Sequence, residues 1–281
     1  NFDLVINAAT TSSNFSQNFF GYGNETISME EELGMDYNRV KMASFKVNPG
    51  LVWLKNLGST VIARLNLESY QVENTPERYI SESGLDSRIF DFQNFAGIGF
   101  EYAFKNYDNP FLPSLGLGFQ AIGKWNVNVS DFSRQVPSAE TALNLVYKLT
   151  PDGQWLFETT LKGKSIFSNS YEFYQAASLG GDTDLRGFRD NRFTGKSAYY
   201  QGSDLRYFIG QIKNPFAPMN YGAFIGFDYG RVWFPSESST KWHQSTGFGF
   251  WINSSNVIAS TVSYFHSSDG GRLSFGMKFN F

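Results

Sequence analysis

The amino-acid sequence predicts an all-β protein whose strands form a transmembrane antiparallel β-barrel. Three observations favour this fold class. Apolar residues recur at every second position, the composition is rich in aromatic and poor in charged residues, and short and long connections alternate along the chain. Aromatic residues make up 18% of the 281 residues and charged residues only 17%, whereas about 25% of the residues in soluble proteins are charged.

The end of the chain shows the alternation most clearly. Positions 273, 275, 277, 279 and 281 are all apolar, and the positions between them are polar or small. The apolar side is rich in Phe, which is typical of a barrel wall that faces lipid. This pattern lets a strand cross a membrane while the mean hydropathy of the chain stays modest, at -0.31.

The same two-residue period recurs along the chain and predicts about twelve strands. Many of them approach the roughly 9–11 residues that a tilted strand needs to cross a bilayer. Charged residues repeatedly fall on the face opposite the aromatic residues, which suits a wet barrel interior. The predicted strands cover residues 2–9, 36–55, 60–73, 92–106, 114–126, 139–149, 154–166, 200–212, 220–233, 243–252, 256–266 and 271–281.

The connections between these strands fall into two alternating sets. The short set comprises residues 56–59, 106–113, 151–153, 213–219 and 253–255. The long set comprises residues 10–35, 74–91, 127–138, 167–199, 234–242 and 267–270, the last of which is itself short. Bacterial outer-membrane barrels have short periplasmic turns and long external loops. We therefore expect the short set and the C-terminus in the periplasm, in one domain that spans residues 1–281.

The composition excludes several other classes of protein. No run of about 18 apolar residues exists, so no transmembrane helix is expected. The absence of Cys excludes disulfides and thiolate metal sites, and a net charge of -3 without a basic patch argues against nucleic-acid binding. His243 and His266 fall near outer strand ends without a carboxylate cluster, so we expect rim residues and not metal ligands or a Ser-His-Asp triad. No enzyme activity and no cofactor are expected of this chain.

Two smaller groups of residues have simple interpretations. The acidic run at residues 30–32 falls in a predicted outer loop, where a solvated segment is favoured over a cation site. Trp125, Trp233, Trp242 and Trp251 lie close to predicted strand ends, where aromatic anchors at the membrane interface are expected.

The most informative stretch is Gly180-Gly181-Asp182-Thr183-Asp184-Leu185-Arg186-Gly187-Phe188-Arg189, in a long segment without clear alternation. We interpret it as a loop that folds back into the barrel lumen. An arginine in that position needs a partner, because an unpaired buried charge is costly.

A partner is available two segments downstream. By alternation Phe227 faces lipid, which turns Asp228 inward. Gly226 and Gly230 lie on the same inward side and would clear space for an incoming loop, and Asp204 on the preceding strand shares this side. The alternative is a surface loop with an exposed arginine and a lone aspartate in a polar lumen.

Three stretches together resemble the BamA/TamA superfamily of outer-membrane assembly and translocation barrels. Leu185-Arg186-Gly187-Phe188 is similar to the VRGF/Y motif of that superfamily, and residues 226–230 are similar to its aspartate-glycine motif. Residues 108–116 are similar to its periplasmic Asp-Asn-Pro…Pro…Gly turn. The paired glycines before the arginine motif and the five strands after it also match, so the resemblance covers most of the chain.

The resemblance implies both a contact and an architecture. Arg186 would reach into the lumen and pair with Asp228, fixing the loop, including Gly187 and Phe188, against the wall near Gly226 and Gly230. Asp204 falls where relatives often have a glutamate. The family barrel has sixteen strands, so this chain would supply its C-terminal strands, while the first strands and any periplasmic POTRA domain would lie outside it.

The last strand carries Gly276, Phe279 and Phe281. These residues resemble the C-terminal signal by which the outer-membrane assembly machinery recognises its barrel clients. The alternative is a β-strand that happens to end in Phe.

The resemblance further implies a bacterial outer-membrane protein that helps other proteins insert into, or cross, that membrane. Its partners would be outer-membrane lipid, client or passenger proteins, and periplasmic or lipoprotein accessory subunits. Residues 19–26 and 108–116 are most similar to the branch whose barrel follows a patatin-like lipase or calcineurin-like phosphoesterase domain. A first alternative is therefore a membrane anchor or exporter of such a hydrolase domain. A passive diffusion pore is a second alternative, against which a plugging loop argues.

Overall fold

The computed structural model describes residues 2–54, 58–109, 112–213, 218–254 and 257–279, and it consists almost entirely of β-strands and their connections. The strands are β1 (Asp3–Thr11), β2 (Ser16–Asn18), β3 (Arg39–Leu54), β4 (Ser59–Val72), β5 (Gln93–Tyr107), β6 (Gly116–Asn128), β7 (Gln135–Lys148), β8 (Trp155–Ile166), β9 (Ala177–Leu179), β10 (Phe193–Gly195), β11 (Ser197–Ile212), β12 (Met219–Trp233), β13 (His243–Ser254), β14 (Ile258–Ser267) and β15 (Gly270–Phe279). Short helices lie in the connections: α1 (Glu30–Leu33), α2 (Tyr79–Glu82) and a 3-10 helix at Ser87–Phe90. None of the helices in these ranges is long and apolar enough to span a membrane.

Twelve of the described strands follow one another in a continuous antiparallel sheet, in the order β1-β3-β4-β5-β6-β7-β8-β11-β12-β13-β14-β15. The short strand β2 pairs with β3 outside this order, and β9 and β10 form a separate two-stranded sheet. Because each strand reverses the direction of the one before it, successive connections lie alternately at the two ends of the sheet. Within the described ranges, β1 and β15 end the order.

The predicted fold class, a transmembrane antiparallel β-barrel, is confirmed, and each of the twelve predicted strands corresponds to one strand of this order. The expected alternation of connection lengths is wrong at two places. Only residues 268–269 join β14 to β15, and this connection is shorter than the one between Ser254 of β13 and Ile258 of β14. Strand β7 begins at Gln135, so only residues 129–134 join β6 to β7, fewer than the residues 108–115 that join β5 to β6. Pro137, which has no N–H to donate, lies in this extension, and its carbonyl accepts a hydrogen bond from the Phe167 N–H at 2.8 Å.

The two faces of the sheet differ in polarity. One face exposes the apolar half of each alternation, including Phe100, Phe248 and Leu273. So large an exposed aromatic surface is stable against lipid and not against water. The opposite face carries buried polar side chains such as Asn66 and Asp228, and we call it the polar face.

One of the four tryptophans that were expected to be interface anchors lies elsewhere. Trp125, Trp233 and Trp242 are exposed near strand ends, as interface anchors would be. Trp251 is instead buried on the polar face, with its ring 5.5 Å from the guanidinium of Arg206. The anchor interpretation is therefore wrong for Trp251, because its position in the two-residue alternation turns it inward.

Hydrogen bonds connect side chains across the polar face. The amide groups of Asn48, Asn66 and Asn126 form a row at N–O distances of 3.1 and 3.0 Å, and Arg64 pairs with Glu101. Polar side chains that are shielded from water have to satisfy one another in this way. This network joins side chains of β3, β4, β5 and β6.

Inward positions near the end with the longer connections are apolar instead of polar. They pack with loop residues in one cluster, which comprises Phe19, Val40, Met42, Tyr70, Val72, Ile80, Ile89, Phe95, Val136, Ile166 and Phe173. We call the loops at this end, residues 12–38, 73–92, 167–196 and 234–242, the cap. The cap covers the strand ends with a packed apolar layer.

Candidate functional site

The loop between β8 and β11, residues 167–196, is held in shape by its own short hairpin. Strands β9 and β10 pair with each other, and the turn between them begins with Gly180 and Gly181, whose φ angles are +118° and +110°. Such angles strain any residue with a side chain. A Cβ on Gly180 would also lie 2.2 Å from the Arg189 carbonyl oxygen, so this glycine is required twice over.

The residues on either side of Arg186 anchor the loop. Leu185 and Phe188 are fully buried, and the ring of Phe188 packs edge-on against Phe193 at 5.1 Å. His243 lies beneath them, stacked on Phe193 at 3.5 Å. His243 begins β13 at the outer strand end, where a rim residue was expected, but the loop covers it, whereas His266 is exposed.

Arg186 reaches the polar face of the sheet and contacts aspartates on two adjacent strands. Its Nη2 donates to Asp228 Oδ1 at 2.7 Å, and its Nε lies 3.0 Å from Asp228 Oδ2. Its Nη1 and Nη2 donate to the two oxygens of Asp204 at 3.1 and 2.8 Å. The backbone N–H of Arg186 also donates to Asp228 Oδ2 at 2.9 Å. The planar guanidinium is suited to such forked contacts, which a lysine could not reproduce.

Asp228 receives further hydrogen bonds from residues that the sequence analysis did not identify. The Tyr200 hydroxyl lies 3.1 Å from Oδ1, and the Ser245 hydroxyl lies 3.1 Å from Oδ2. The carboxylate is fully buried, so these donors replace the water that it would otherwise bind. Both donors occupy inward positions of neighbouring strands, and alternation could have placed them there.

Aromatic rings enclose the guanidinium. Its central carbon lies 4.0 Å from the ring centre of Phe265 and 6.0 Å from that of Phe224. Together with Trp251, these rings form a buried cluster on the polar face. Cation–π attraction adds to the ion pairs where water is excluded. The signal that was missed is an aromatic residue at an inward, otherwise polar position.

Glycines make room for the loop on the wall. A Cβ on Gly226 would lie 2.5 Å from Asp204 Oδ1 and 2.9 Å from Arg186 Nη2. A Cβ on Gly187 would lie 2.7 Å from the Cβ of Ser245. Real Cβ atoms do not approach other atoms so closely, because the overlap would be repulsive. A Cβ on Gly230 would lie 3.1 Å from a methyl group of Leu179 in the loop hairpin.

The loop also contacts the last two strands. The Ser267 hydroxyl donates to the Gly187 carbonyl at 2.7 Å, Arg272 donates to the Phe188 carbonyl, and the Ser274 hydroxyl donates to Asp182 Oδ1 at 2.6 Å. Thus one loop joins the aspartates of β11 and β12 to strands β14 and β15.

The surroundings of the loop shift the pKa values of two of its charged residues. Burial alone would lower the pKa of Arg186, but its hydrogen bonds to Asp228 and Asp204 raise that pKa above its usual value. Burial raises the pKa of Asp184 to about 6, although the Gly180 N–H donates to it at 2.7 Å and Lys162 lies nearby. Arg186 is therefore a permanent cation and cannot act as an acid or a base.

The loop also pairs with the first cap segment. Arg189 Nε lies 2.5 Å from Glu30 Oε2. The expectation of a solvated acidic run is therefore wrong for Glu30, whose carboxylate the loop partly buries, while Glu31 and Glu32 are exposed. In the part of the chain that the structure describes, no three His, Asp or Glu side chains converge as metal ligands would.

A cavity of about 660 Å³ lies beside the loop tip. Asp182, Thr183 and Arg186 line it from the loop, and Ser263 and Ser274 line it from β14 and β15. Of the residues of the predicted C-terminal signal, Gly276 also lines this cavity. A Cβ on Gly276 would meet no atom within 4 Å, Phe279 is exposed, and Phe281 lies outside the described residues.

Comparison with known proteins places the chain in a family. A family model described as haemolysin secretion/activation protein ShlB/FhaC/HecB matches residues 94–252, from β5 to β13, a range that includes Arg186 and Asp228. The similar solved structures include the crystal structure of BamA from Haemophilus ducreyi lacking POTRA domains 1-3, with a TM-score of 0.65 at 14% sequence identity. That match covers 98% of this chain and 61% of the BamA chain, so this chain spans about three fifths of its relative.

The structural likeness shows a shared fold, and the family model covers more than half of the chain. The chain therefore belongs to the haemolysin secretion/activation protein ShlB/FhaC/HecB family, within the BamA/TamA-type superfamily of bacterial outer-membrane β-barrels.

Proposed function

We propose that this chain forms the C-terminal part of an outer-membrane barrel that moves other proteins into or across the outer membrane. In this proposal the loop at residues 167–196 folds into the lumen and holds the barrel wall in register. The observation that carries the proposal is the contact of Arg186 with Asp228 and Asp204, which joins one loop to two neighbouring strands.

The role proposed for the loop is mechanical and not chemical. Arg186 does not titrate, and its polar contacts are all directed at the wall or at the loop itself. The same loop holds β14 and β15 through Ser267, Arg272 and Ser274. A loop that joins the middle of the wall to its last strands could keep the barrel in shape while a strand edge opens.

The last strand of this chain ends the sheet order of the described residues. In the proposal its free edge pairs with a strand supplied by the rest of the protein, and that junction is the seam that opens. An unpaired strand edge offers N–H and C=O groups to which another extended chain can bind. We propose that the client passes at or near this edge. The longer connections and the cap would face the cell exterior, the shorter connections would face the periplasm, and the remaining strands and any periplasmic domain would be supplied by the rest of the protein.

The experiment is deletion of the gene in its host, followed by comparison of the outer-membrane and secreted proteomes. We expect specific outer-membrane or secreted proteins to be lost and to return with the wild-type full-length gene. Arg186→Ala should be inserted but should not restore them, because the loop is released from the wall. Arg189→Gln is the matched control, since Arg189 lies in the same loop and pairs with Glu30 instead of the wall.

The alternatives give different results. Unchanged proteomes together with steady ion conductance in planar bilayers would indicate a diffusion pore. Loss of only a hydrolase activity encoded in the same reading frame would indicate a membrane anchor. Full restoration by Arg186→Ala would contradict the role proposed for the loop.

A further inference from the structure

Arg192 is a second buried arginine of the loop, and the contact with the wall aspartates does not involve it. Only 5% of its side chain is exposed, against 38% for the neighbouring Arg189. A cation this deeply buried is costly unless several groups compensate its charge. Its partners therefore indicate what the residue does.

The guanidinium of Arg192 contacts two other connections of the barrel. Its Nε donates to Asp269 Oδ2 at 2.5 Å, in the turn between β14 and β15. Its Nη1 and Nη2 donate to the hydroxyl and the carbonyl of Thr26, at 2.7 and 2.8 Å, in the cap segment 12–38. One side chain thus joins the loop, the first cap segment and the last turn.

Aromatic rings hold Arg192 in place. Its central guanidinium carbon lies 4.8 Å from the ring centre of Phe20 and 4.7 Å from that of Phe193. Both rings are buried. These contacts and those with Thr26 do not depend on Asp269, so Arg192 keeps partners if the last turn moves away.

The last turn is held from two sides. The Asp269 N–H donates to the Ser267 hydroxyl at 3.1 Å, and that hydroxyl donates to the Gly187 carbonyl at 2.7 Å. Asp269 is the more accessible partner of the ion pair, with 23% of its side chain exposed. Water can therefore reach the carboxylate of Asp269 more readily than the guanidinium of Arg192.

We propose that Arg192 is a positioning residue that clamps the turn between β14 and β15 to the cap, and that release of Asp269 opens the cap above the cavity. This inference rests on the proposed function, because it assigns to the transport barrel the contact that closes its outer end. In the clamped state the last turn is fixed to the loop and to the first cap segment. In the released state Arg192 remains on Thr26 and between the two rings, while β14 and β15 keep only their contacts with Gly187, Phe188 and Asp182 of the loop.

The test measures access to the cavity from outside intact cells. The chain has no cysteine, so Ser263→Cys, which lines the cavity, gives a single reporter once any cysteine elsewhere in the full-length protein is replaced. The rate of labelling by a membrane-impermeant maleimide is compared in the wild-type background, Asp269→Asn, Asp269→Glu, Arg192→Gln and Arg189→Gln. Heat-modifiable migration in gels confirms that each barrel is folded.

We expect Asp269→Asn and Arg192→Gln to increase the labelling rate by about tenfold, which corresponds to a shift of about 1.4 kcal/mol in the opening equilibrium. Asp269→Glu should stay near the wild-type rate because it keeps the charge, and so should Arg189→Gln because it does not contact the last turn. Unchanged labelling in folded Asp269→Asn would overturn the clamp. Asp269→Asn alters a partly exposed turn residue, so it decides the matter even if Arg192→Gln fails to fold.

This readout separates the clamp from the proposed function, since labelling needs no client. Faster labelling with unchanged proteomes after gene deletion would retain the clamp and refute the transport function. Unchanged labelling together with proteomes that depend on Arg186 would refute the clamp and retain the transport function.

Discussion

Replacing Arg186 with alanine removes the cation that lies between two carboxylates on adjacent strands. Asp228 would keep the hydroxyls of Tyr200 and Ser245 and the backbone N–H of residue 186. Asp204 would lose both of its contacts with the guanidinium. Two neighbouring carboxylates would then face each other on a largely buried surface without a compensating charge.

The expected loss can be estimated from the burial of the pair. Asp228 is fully buried, and 15% of the Arg186 side chain is exposed. Removing one partner of such a pair costs about 3–5 kcal/mol, because the other charge stays buried. Asp228→Asn should cost about 2 kcal/mol, since an amide oxygen can still accept one hydrogen bond from the guanidinium. The double variant should be less destabilised than the sum of the two, by about 2 kcal/mol, because both changes remove the same contact.

The assay is denaturant unfolding of the full-length protein in lipid vesicles, followed by tryptophan fluorescence. The chain contains six tryptophans, including Trp251 beside the site, so unfolding should give a clear signal. Arg186→Lys should recover only part of the loss, because an ammonium group cannot fork between Asp204 and Asp228. Purely additive effects of the two single variants would refute the argument, as would a loss below about 1 kcal/mol for Arg186→Ala, well under the cost expected for a broken buried pair.

Three further predictions concern the loops and turns. Gly187→Ala should destabilise the barrel by about 1–3 kcal/mol, because the added methyl group would overlap with the wall. Gly276→Ala should be neutral, because a Cβ at that position has open space. Equal effects of the two variants in unfolding experiments would contradict this prediction. Glu237→Gln should make residues 12–38 more sensitive to protease on intact cells. The Glu237 carboxylate accepts hydrogen bonds from the backbone and side chain of Asn24 at 2.7 to 2.9 Å, and the amide would keep only part of them. Unchanged cleavage would show that other contacts hold this segment. Burial would raise the pKa of Asp108, but hydrogen bonds from the Ser114 side chain and from backbone N–H groups lower it to about 2. Because the folded pKa lies below the ordinary value of 3.8, the stabilisation is fully present above about pH 4 and is lost as the pH falls towards 2. Since 35% of the Asp108 side chain is exposed, its hydrogen bonds should contribute about 1 kcal/mol to the free energy of unfolding. Asp108→Asn should therefore flatten the pH dependence of that free energy between pH 4 and 2. An unchanged pH dependence would contradict this prediction.

Local sequence patterns predicted most of the strands that form the barrel wall. A strand that has lipid on one side and a wet lumen on the other must alternate, and this rule located all twelve strands of the main sheet within a few residues. The rule failed where the environment changes. Inward residues such as Val40, Phe95 and Ile166 are apolar because the cap covers them, and Pro137 lies in a strand although it cannot donate a hydrogen bond.

The residues of the candidate site likewise fall into those that the sequence identifies and those that only the structure identifies. Arg186, Asp228 and the flanking glycines could be selected from the sequence, because a cation placed among small and aromatic residues needs a partner and space. Alternation could place Tyr200, Ser245 and Phe265 on the inward face, but it could not assign them to the site, since they come from three different strands whose side chains converge only after the sheet curves. The burial of His243 beneath the loop is also a consequence of where the loop lies.

The sequence by itself determined the alternating faces, the number and order of the twelve strands of the main sheet and the pair of charges at the centre of the loop contact. Each of these follows from residues close together in the chain or from one strong electrostatic requirement, whereas the short strands β2, β9 and β10 were not predicted. Only the tertiary structure decided that Arg192 joins Thr26 to Asp269, that Glu237 accepts hydrogen bonds from Asn24, and that aromatic rings enclose Arg186. Those contacts join residues far apart in the chain, and no local periodicity encodes which distant side chains meet once the loops fold over the barrel.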